Sequence, residues 1–165
     1  MNKIISVANV FGLVLVVLTG AYAQSVQEER KVLRGLDGLR VEVKRLKPEI
    51  ERDGLFVDLL QTDVELKLRM AGIKVISEGE ESSIPGGPYL FLNVDAMKSS
   101  IGYVYRIQLS LREPVTLTRN ALKVVGTTFR TQDQFGISPH LSDIREEVRD
   151  ITDEFTAAWL QANSK

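Results

Sequence analysis

Apolar residues recur along this chain with two different periods, and the changes of period mark out its elements. Leu39, Val41 and Val43 alternate with Arg40, Glu42 and Lys44, the period of two that belongs to a half-buried strand. Lys47-Pro48 closes that strand, and Asp53-Gly54 is expected to open a helix with Asp53 as its N-cap. From there Phe56, Leu60, Val64, Leu68 and Ala71 step by four, four, four and three. Leu59 widens the stripe, while Asp58, Asp63, Glu65, Lys67 and Arg69 take the wet side. Gly72 stands where a left-handed residue would stop the helix. Ile73 to Ile76 follows as a second strand, so residues 39–76 fit a right-handed crossover between parallel strands.

The second half of the chain begins with a loop over residues 77–88, which carries Glu78, Glu80, Glu81 and the run Pro85-Gly86-Gly87-Pro88. Tyr89 to Asp95 is apolar on both faces, as an interior strand would be. After a turn at Lys98 to Gly102 comes the cleanest alternation. Tyr103, Tyr105, Ile107, Leu109 and Leu111 share one face; Val104, Arg106, Gln108, Ser110 and Arg112 share the other. Extended chain continues past Pro114 to Thr118, and Leu122 to Thr131 supplies a last strand. Ile144, Val148, Ile151, Phe155, Ala158, Trp159 and Ala162 form the stripe of a long C-terminal helix, capped by Ser138 or Ser142. These faces are satisfied together by an α+β, two-layer sandwich. It has a mixed, mostly antiparallel sheet of about five strands and two helices on one face. The other face would be solvated and carry Arg40, Glu42, Lys44, Arg106, Gln108, Arg112, Thr116 and Thr118.

Upstream of all this, the chain reads as an export leader. Lys3 gives a positive start, Ile4 to Leu18 is an apolar run broken by Ser6, Asn9 and Gly12, and Ala21-Tyr22-Ala23 offers small residues for cleavage after Ala23. The apolar run falls short of the ~20 residues that span a bilayer, which favours a cleaved signal peptide over an anchor. The expected organisation is a signal peptide over residues 1–23, a polar tether over 24–31 and a single domain over 32–165. Removing 23 of 165 residues leaves 142, enough for one hydrophobic core. Localisation is expected to be periplasmic, with the membrane met only in transit.

Composition narrows the function by exclusion. There is no cysteine, which rules out lipidation at a cysteine, thiol chemistry and disulfides. Net charge near −1 gives no electrostatic reason to expect a nucleic-acid partner. His140, the single histidine, lies near Ser138 and Asp143. Three triad-type residues so close together at a helix start rarely set a base between nucleophile and orienter, so a surface histidine is the simpler reading. One histidine and no cysteine do not make a typical zinc site, and Glu78-Gly79-Glu80-Glu81 lacks the spacing of a calcium loop. Asp58 with Asp63, or Asp150 with Asp153, would pair carboxylates on a helix face, but Lys and Arg neighbours mark solvated faces. Gly86-Gly87 matches no phosphate-binding pattern. No cofactor is called for.

The aromatic group Tyr89, Phe91, Tyr103 and Tyr105 is the candidate with most content. If its two strands pair as a hairpin, the rings are expected to become cross-strand neighbours near the turn. They would then serve, with Arg106 and Arg112, as a ligand or partner surface, or else form core beneath the helices.

The run Leu33-Arg34-Gly35-Leu36-Asp37-Gly38-Leu39, the pair Val41 and Val43, the stretch from Asp63 to Val75, Pro88-Tyr89-Leu90 and Asp153-Glu154-Phe155 together resemble a family of small, uncharacterised bacterial exported proteins. That resemblance implies an export address and similar domain limits, and no activity. The strand–helix–strand opening is also similar in architecture to small α+β envelope modules such as the N-terminal domain of TolB. The function expected is a non-catalytic binding or assembly module of the cell envelope with another envelope protein as partner; the alternative is a small-molecule or lipid carrier with an aromatic-lined pocket.

Overall fold

The computed structural model describes residues 30–80 and 83–164. The leader and most of the tether lie outside the described residues. Lys31, the tether's last residue, opens a 3-10 turn, Lys31–Leu33, whose Leu33 is already in the core.

Among the described residues six strands form a mixed sheet: β1 (Gly38–Val43), β2 (Lys74–Val75), β3 (Tyr89–Ser99), β4 (Gly102–Thr116), β5 (Lys123–Arg130) and β6 (Gln134–Ser138). Their order is β2-β1-β3-β4-β5, and β6 also pairs with β4. β1 runs parallel to both β2 and β3; the remaining pairs are antiparallel. Among the described residues three α-helices accompany the sheet: α1 (Pro48–Arg52), α2 (Val57–Met70) and α3 (Leu141–Asn163). The fold is thus α+β and mostly antiparallel, with the parallel crossover between β1 and β2 that the alternation at residues 39–76 implies. No helix among the described residues is long and apolar enough to cross a membrane.

The core fills the space between one sheet face and the helices α2 and α3. Leu39, Val41, Leu90, Leu92, Val94, Ile107, Leu109 and Leu111 point into it from the strands. Leu60, Val64, Leu68, Ile144, Val148, Ile151 and Phe155 meet them from the helices. Burying such side chains is worth about 1.5–3 kcal/mol each before the entropy of ordering is charged against it.

Helix boundaries follow from local chemistry, and one differs from expectation. Asp53 ends α1, its N–H bonding to Glu49 O, rather than opening α2. Gly54 then turns the chain at φ +108°, and α2 starts after Phe56. Pro48 provides the reason: its fixed φ suits a first helical position, so a short helix forms where a strand end alone was expected. The far end of α2 closes as the sequence implies. Gly72 sits at φ +88°, Ile73 N donates to Leu68 O and Gly72 N to Arg69 O, each at 3.0 Å, the paired bonds of a Schellman ending.

Pro114 lies inside β4 without breaking it. β3 begins at Tyr89, opposite Arg112, so beyond that point β4 has a neighbour on one side and the missing N–H costs no ladder bond there. At the C-terminus, Trp159 packs against the core, and its Nε1–H donates to Leu36 O at 2.8 Å. Trp159→Phe should keep most of the packing and lose that bond, lowering stability by about 1–2 kcal/mol in urea unfolding. Trp159→Ala should cost more.

Candidate functional site

Both long helices lie on one side of the sheet, so among the described residues the other side carries no helix. Cross-strand register arranges its side chains in rows. Arg40, Tyr89, Arg112 and Thr127 form the first, and Glu42, Phe91, Ser110 and Arg130 the second. Asn93 faces Gln108; Asp95 faces Arg106, which faces Phe135; Met97 faces Val104, which faces Ile137. The face therefore changes along its length from cationic and aromatic, through amide and carboxylate, to apolar.

Three arginine–aromatic stacks stand on this face. The Arg40 guanidinium lies 5.2 Å from the Tyr89 ring centre, that of Arg112 3.8 Å from Phe91 and that of Arg106 5.5 Å from Phe135. Arg112 reaches Phe91 diagonally, since its direct neighbour is Tyr89. Such stacks are worth about 0.5–1 kcal/mol each at exposed sites, and they hold the guanidinium planes in place.

Polar contacts fix the middle rows. Arg106 Nη2 and Gln108 Nε2 donate to Asp133 Oδ2 at 2.7 and 2.9 Å, and the Arg106 guanidinium holds the Asp133 carboxyl below the usual carboxylate range. Lys44 Nζ donates to Asp95 at 2.9 Å and lowers its pKa in the same way. Asn93 Nδ2 bridges Asp95 and Gln108 at 3.0 and 3.3 Å. Within the described residues, Asn93 Oδ1, Arg106 Nε and Asp133 Oδ1 are covered yet have no hydrogen-bond partner.

The expected aromatic cluster does not assemble. Tyr89 and Phe91 are on the open face, with Arg106 and Arg112, whereas Tyr103 and Tyr105 point to the helix side. The pairing register is the cause: Tyr103 faces Lys98 and Tyr105 faces Ala96, while Tyr89 faces Arg112 at the far end of the hairpin. Tyr105 is core, and its ring lies against Gly136, where a Cβ would come within 2.4 Å of the hydroxyl oxygen. Burial pushes that hydroxyl's pKa up. Tyr103 is half-buried and donates to Asp53 Oδ2 at 2.8 Å, as does Lys98. Those bonds tie the β3–β4 hairpin to the corner between α1 and α2. Asp133 and Phe135 lie outside the candidates that the sequence offers; the alternation of Phe135 and Ile137 around Gly136 is the available signal.

The other candidates resolve into local structure. Ser138 Oγ accepts the backbone N–H of His140 at 3.1 Å and bonds the Asp143 carboxylate directly. The imidazole is not between them, and the N-cap of α3 is His140, midway between the two expected caps Ser138 and Ser142. Asp58 is exposed while Asp63 is buried against α3, so those two carboxylates do not pair. Arg145 Nε and Nη2 reach Asp63 at 2.5 and 2.9 Å and Arg149 Nη2 at 3.3 Å. These contacts, Arg145 foremost, hold its carboxyl below the ordinary range. Asp153 is bonded by Lys67 across the same helix pair. Glu80 accepts the N–H of Ser77 at 2.8 Å, while Glu81 lies outside the described residues. Among the described residues no three His, Cys, Asp or Glu side chains gather as a metal site.

No protein-family model matches the chain, and no curated protein matches it. Among solved structures it is similar to a PelC dodecamer from Paraburkholderia phytofirmans, at 13% identity over 76% of this chain and 90% of that one, with a TM-score of 0.44. It is also similar to a minor lipoprotein from Acinetobacter baumannii, at 11% identity over 77% and 93% of the two chains, with a TM-score of 0.29. Neither is a TolB module, so that likeness stays an expectation of the sequence. At these scores the two likenesses carry no argument about what the chain does.

Proposed function

We propose that this chain is a non-catalytic binding or assembly module of the bacterial cell envelope, exported through its leader, and that the open sheet face receives a partner protein. One observation carries the reading: three arginines stacked on aromatic rings stand in rows on a sheet face that no described helix covers. Arginine and aromatic side chains are enriched at protein interfaces, and side chains held in place beforehand lose less entropy on binding. Met97, Val104, Phe135 and Ile137 add an exposed apolar end, and Asp133, Asn93 and Gln108 add hydrogen-bonding groups at fixed positions. The envelope address rests on the leader: Lys3, the apolar run from Ile4 to Leu18 and the Ala21-Tyr22-Ala23 site. The carrier reading draws no support from the rings, which divide between the two faces.

Site-specific photo-cross-linking in the exporting cell tests this. A photoreactive residue at Val125 or Ile137, both exposed on the open side, should give one discrete adduct. The same residue at Asp150 on α3 should give none. Combining the probe with Arg106→Ala and Arg112→Ala should weaken the adduct about tenfold or more, as loss of two interface arginines does. Adducts equal from both sides of the molecule would reject the face. N-terminal sequencing of the exported protein should begin at Gln24; native protein retaining Met1 in the cytosol would reject the address.

A further inference from the structure

α2 has two apolar stripes, and the fold uses one. Leu60, Val64 and Leu68 are in the core. Phe56, just ahead of the helix, with Leu59, Leu66 and Met70 on it, form a second stripe, and these residues are 49, 39, 55 and 79% exposed. With Asp63 counted between Leu59 and Leu66, the positions step by three, four, three and four. That is the spacing of a seam that packs lengthwise on another helix. Two pairs of large apolar side chains on one side of a helix, either side of Asp63, are more than the single scattered residues normal on a monomer.

The chemistry of the stripe selects its occupant. Its one polar position, Asp63, is already bonded by Arg145 and Arg149 of the same chain. A covering surface would therefore strand no bare carboxylate and needs to bring no cation of its own. The two ends carry opposite net signs: over residues 47–58 Glu49, Glu51, Asp53 and Asp58 outnumber Lys47 and Arg52, and over residues 65–74 Lys67, Arg69 and Lys74 outnumber Glu65, with Asp53 bonded by Lys98 and Lys67 bonded to Asp153 within the chain. Two copies laid antiparallel about a two-fold axis would set each acidic end on the other's basic end, twice, and oppose the two helix dipoles. Parallel pairing would oppose like with like. Arg69 is bridged to Glu65 yet keeps 55% of its side chain exposed, so it remains able to meet Asp58 of the other copy.

Shape agrees with charge. A shallow groove of about 440 Å³ runs between α2 and α3 at the finishing end, where Leu66, Met70 and Ala71 wall it beside the ion pairs Asp63–Arg149 and Lys67–Asp153. The starting end instead carries the protruding Phe56 ring. Antiparallel pairing brings that ring of one copy to the groove of the other, at both ends of the interface. We propose that this chain forms an antiparallel homodimer through the α2 seam, leaving the open sheet face free.

Sedimentation velocity on the purified protein from roughly 1 to 200 µM tests it. A concentration-dependent dimer is expected. Leu66→Asp with Met70→Asp should weaken it about a hundredfold while the circular dichroism spectrum stays unchanged, since both residues are exposed. Val125→Asp, on the sheet side, should leave the dimer as it was. The natural chain has no cysteine, so single variants Phe56→Cys and Met70→Cys report orientation. Mixed and oxidised, they should cross-link to each other in preference to themselves. A monomer at every concentration, a dimer indifferent to the two aspartates, or a preference for like-with-like cross-links would each overturn the proposal. None of these outcomes bears on the photo-adducts of the sheet face, so the two readings stand or fall separately.

Discussion

Phe155→Ala is expected to destabilise the fold by about 4 kcal/mol, as truncating a fully buried phenylalanine does. Phe155 lies in the buried stripe of α3 with no exposed surface, and its ring meets Phe129 of β5 edge-on, centroids 5.9 Å apart at 65°. Truncation removes the transfer energy of the ring, leaves a cavity that packed neighbours fill only in part, and deletes an aromatic pair worth about 0.5–1.5 kcal/mol beyond burial. For a domain of this size the thermal midpoint should fall by roughly 14 °C. Phe155→Leu should recover more than half of the loss, because it restores most of the volume. Urea unfolding of the three proteins measures this directly, and a cost below about 2 kcal/mol for the alanine would contradict the packing of α3 on β5. The consequence reaches the open face. Phe129 is followed by the outward Arg130, and the register shift between Leu111 and Arg112 turns Thr127 outward as well, so the contact that anchors the inner side of this strand also positions its outer side.

Period was legible in the sequence; pairing was not. The alternations at Leu39–Val43 and Tyr103–Leu111 and the stripe from Ile144 to Ala162 turn the side chains they imply to the core, with Val43, Tyr103, Trp159 and Ala162 partly buried at its rim, because each face has to be apolar along its length to exclude water. What alternation leaves open is which residues of two strands lie opposite. The turn between Ser99 and Gly102 sets odd-numbered residues of β3 opposite even-numbered residues of β4. Tyr89 and Phe91 therefore share a face with Arg112 and not with Tyr103 and Tyr105. A turn one residue longer or shorter would reverse that relation, and nothing in Lys98-Ser99-Ser100-Ile101-Gly102 announces its length.

Two elements escaped for different reasons. α1 has five residues, too few for a helical period to show itself. β6 shows its period inverted. Phe135 and Ile137 point outward and Gly136 inward, so a rule that sends apolar residues to the core reads the strand inside out. The inversion has a cause in Tyr105, whose ring occupies the space that a side chain at position 136 would need. The candidate site inherits both limits. Arg106 and Arg112 were visible as the wet side of β4, but Asp133, which fixes Arg106, belongs to a connection whose place is set by β6.

Asp63→Asn is the second change expected to have a large effect, at about 3 kcal/mol of lost stability, the low end for breaking a buried ion pair. The low end applies because Arg145 and Arg149 keep 34 and 35% of their side chains exposed, while the Asp63 side chain keeps 8%. Solvent thus softens the stranding of the two guanidiniums. The effect should depend on pH in one direction. The Asp63 pKa is lowered in the folded chain, chiefly by the Arg145 hydrogen bonds, and lies near 3.9 for an unfolded aspartate. Its contribution is therefore complete above that value and is lost as pH falls through the lower folded value. The asparagine variant carries no such term. Asp95 and Asp133 also titrate low, but they are present in both proteins and cancel in the comparison. Urea midpoints measured from pH 7 downward should keep a constant gap between parent and variant to about pH 4, and the gap should close below it. A gap that persists into strong acid would mean that the cost is one of shape, and that the helices are not held by this charge.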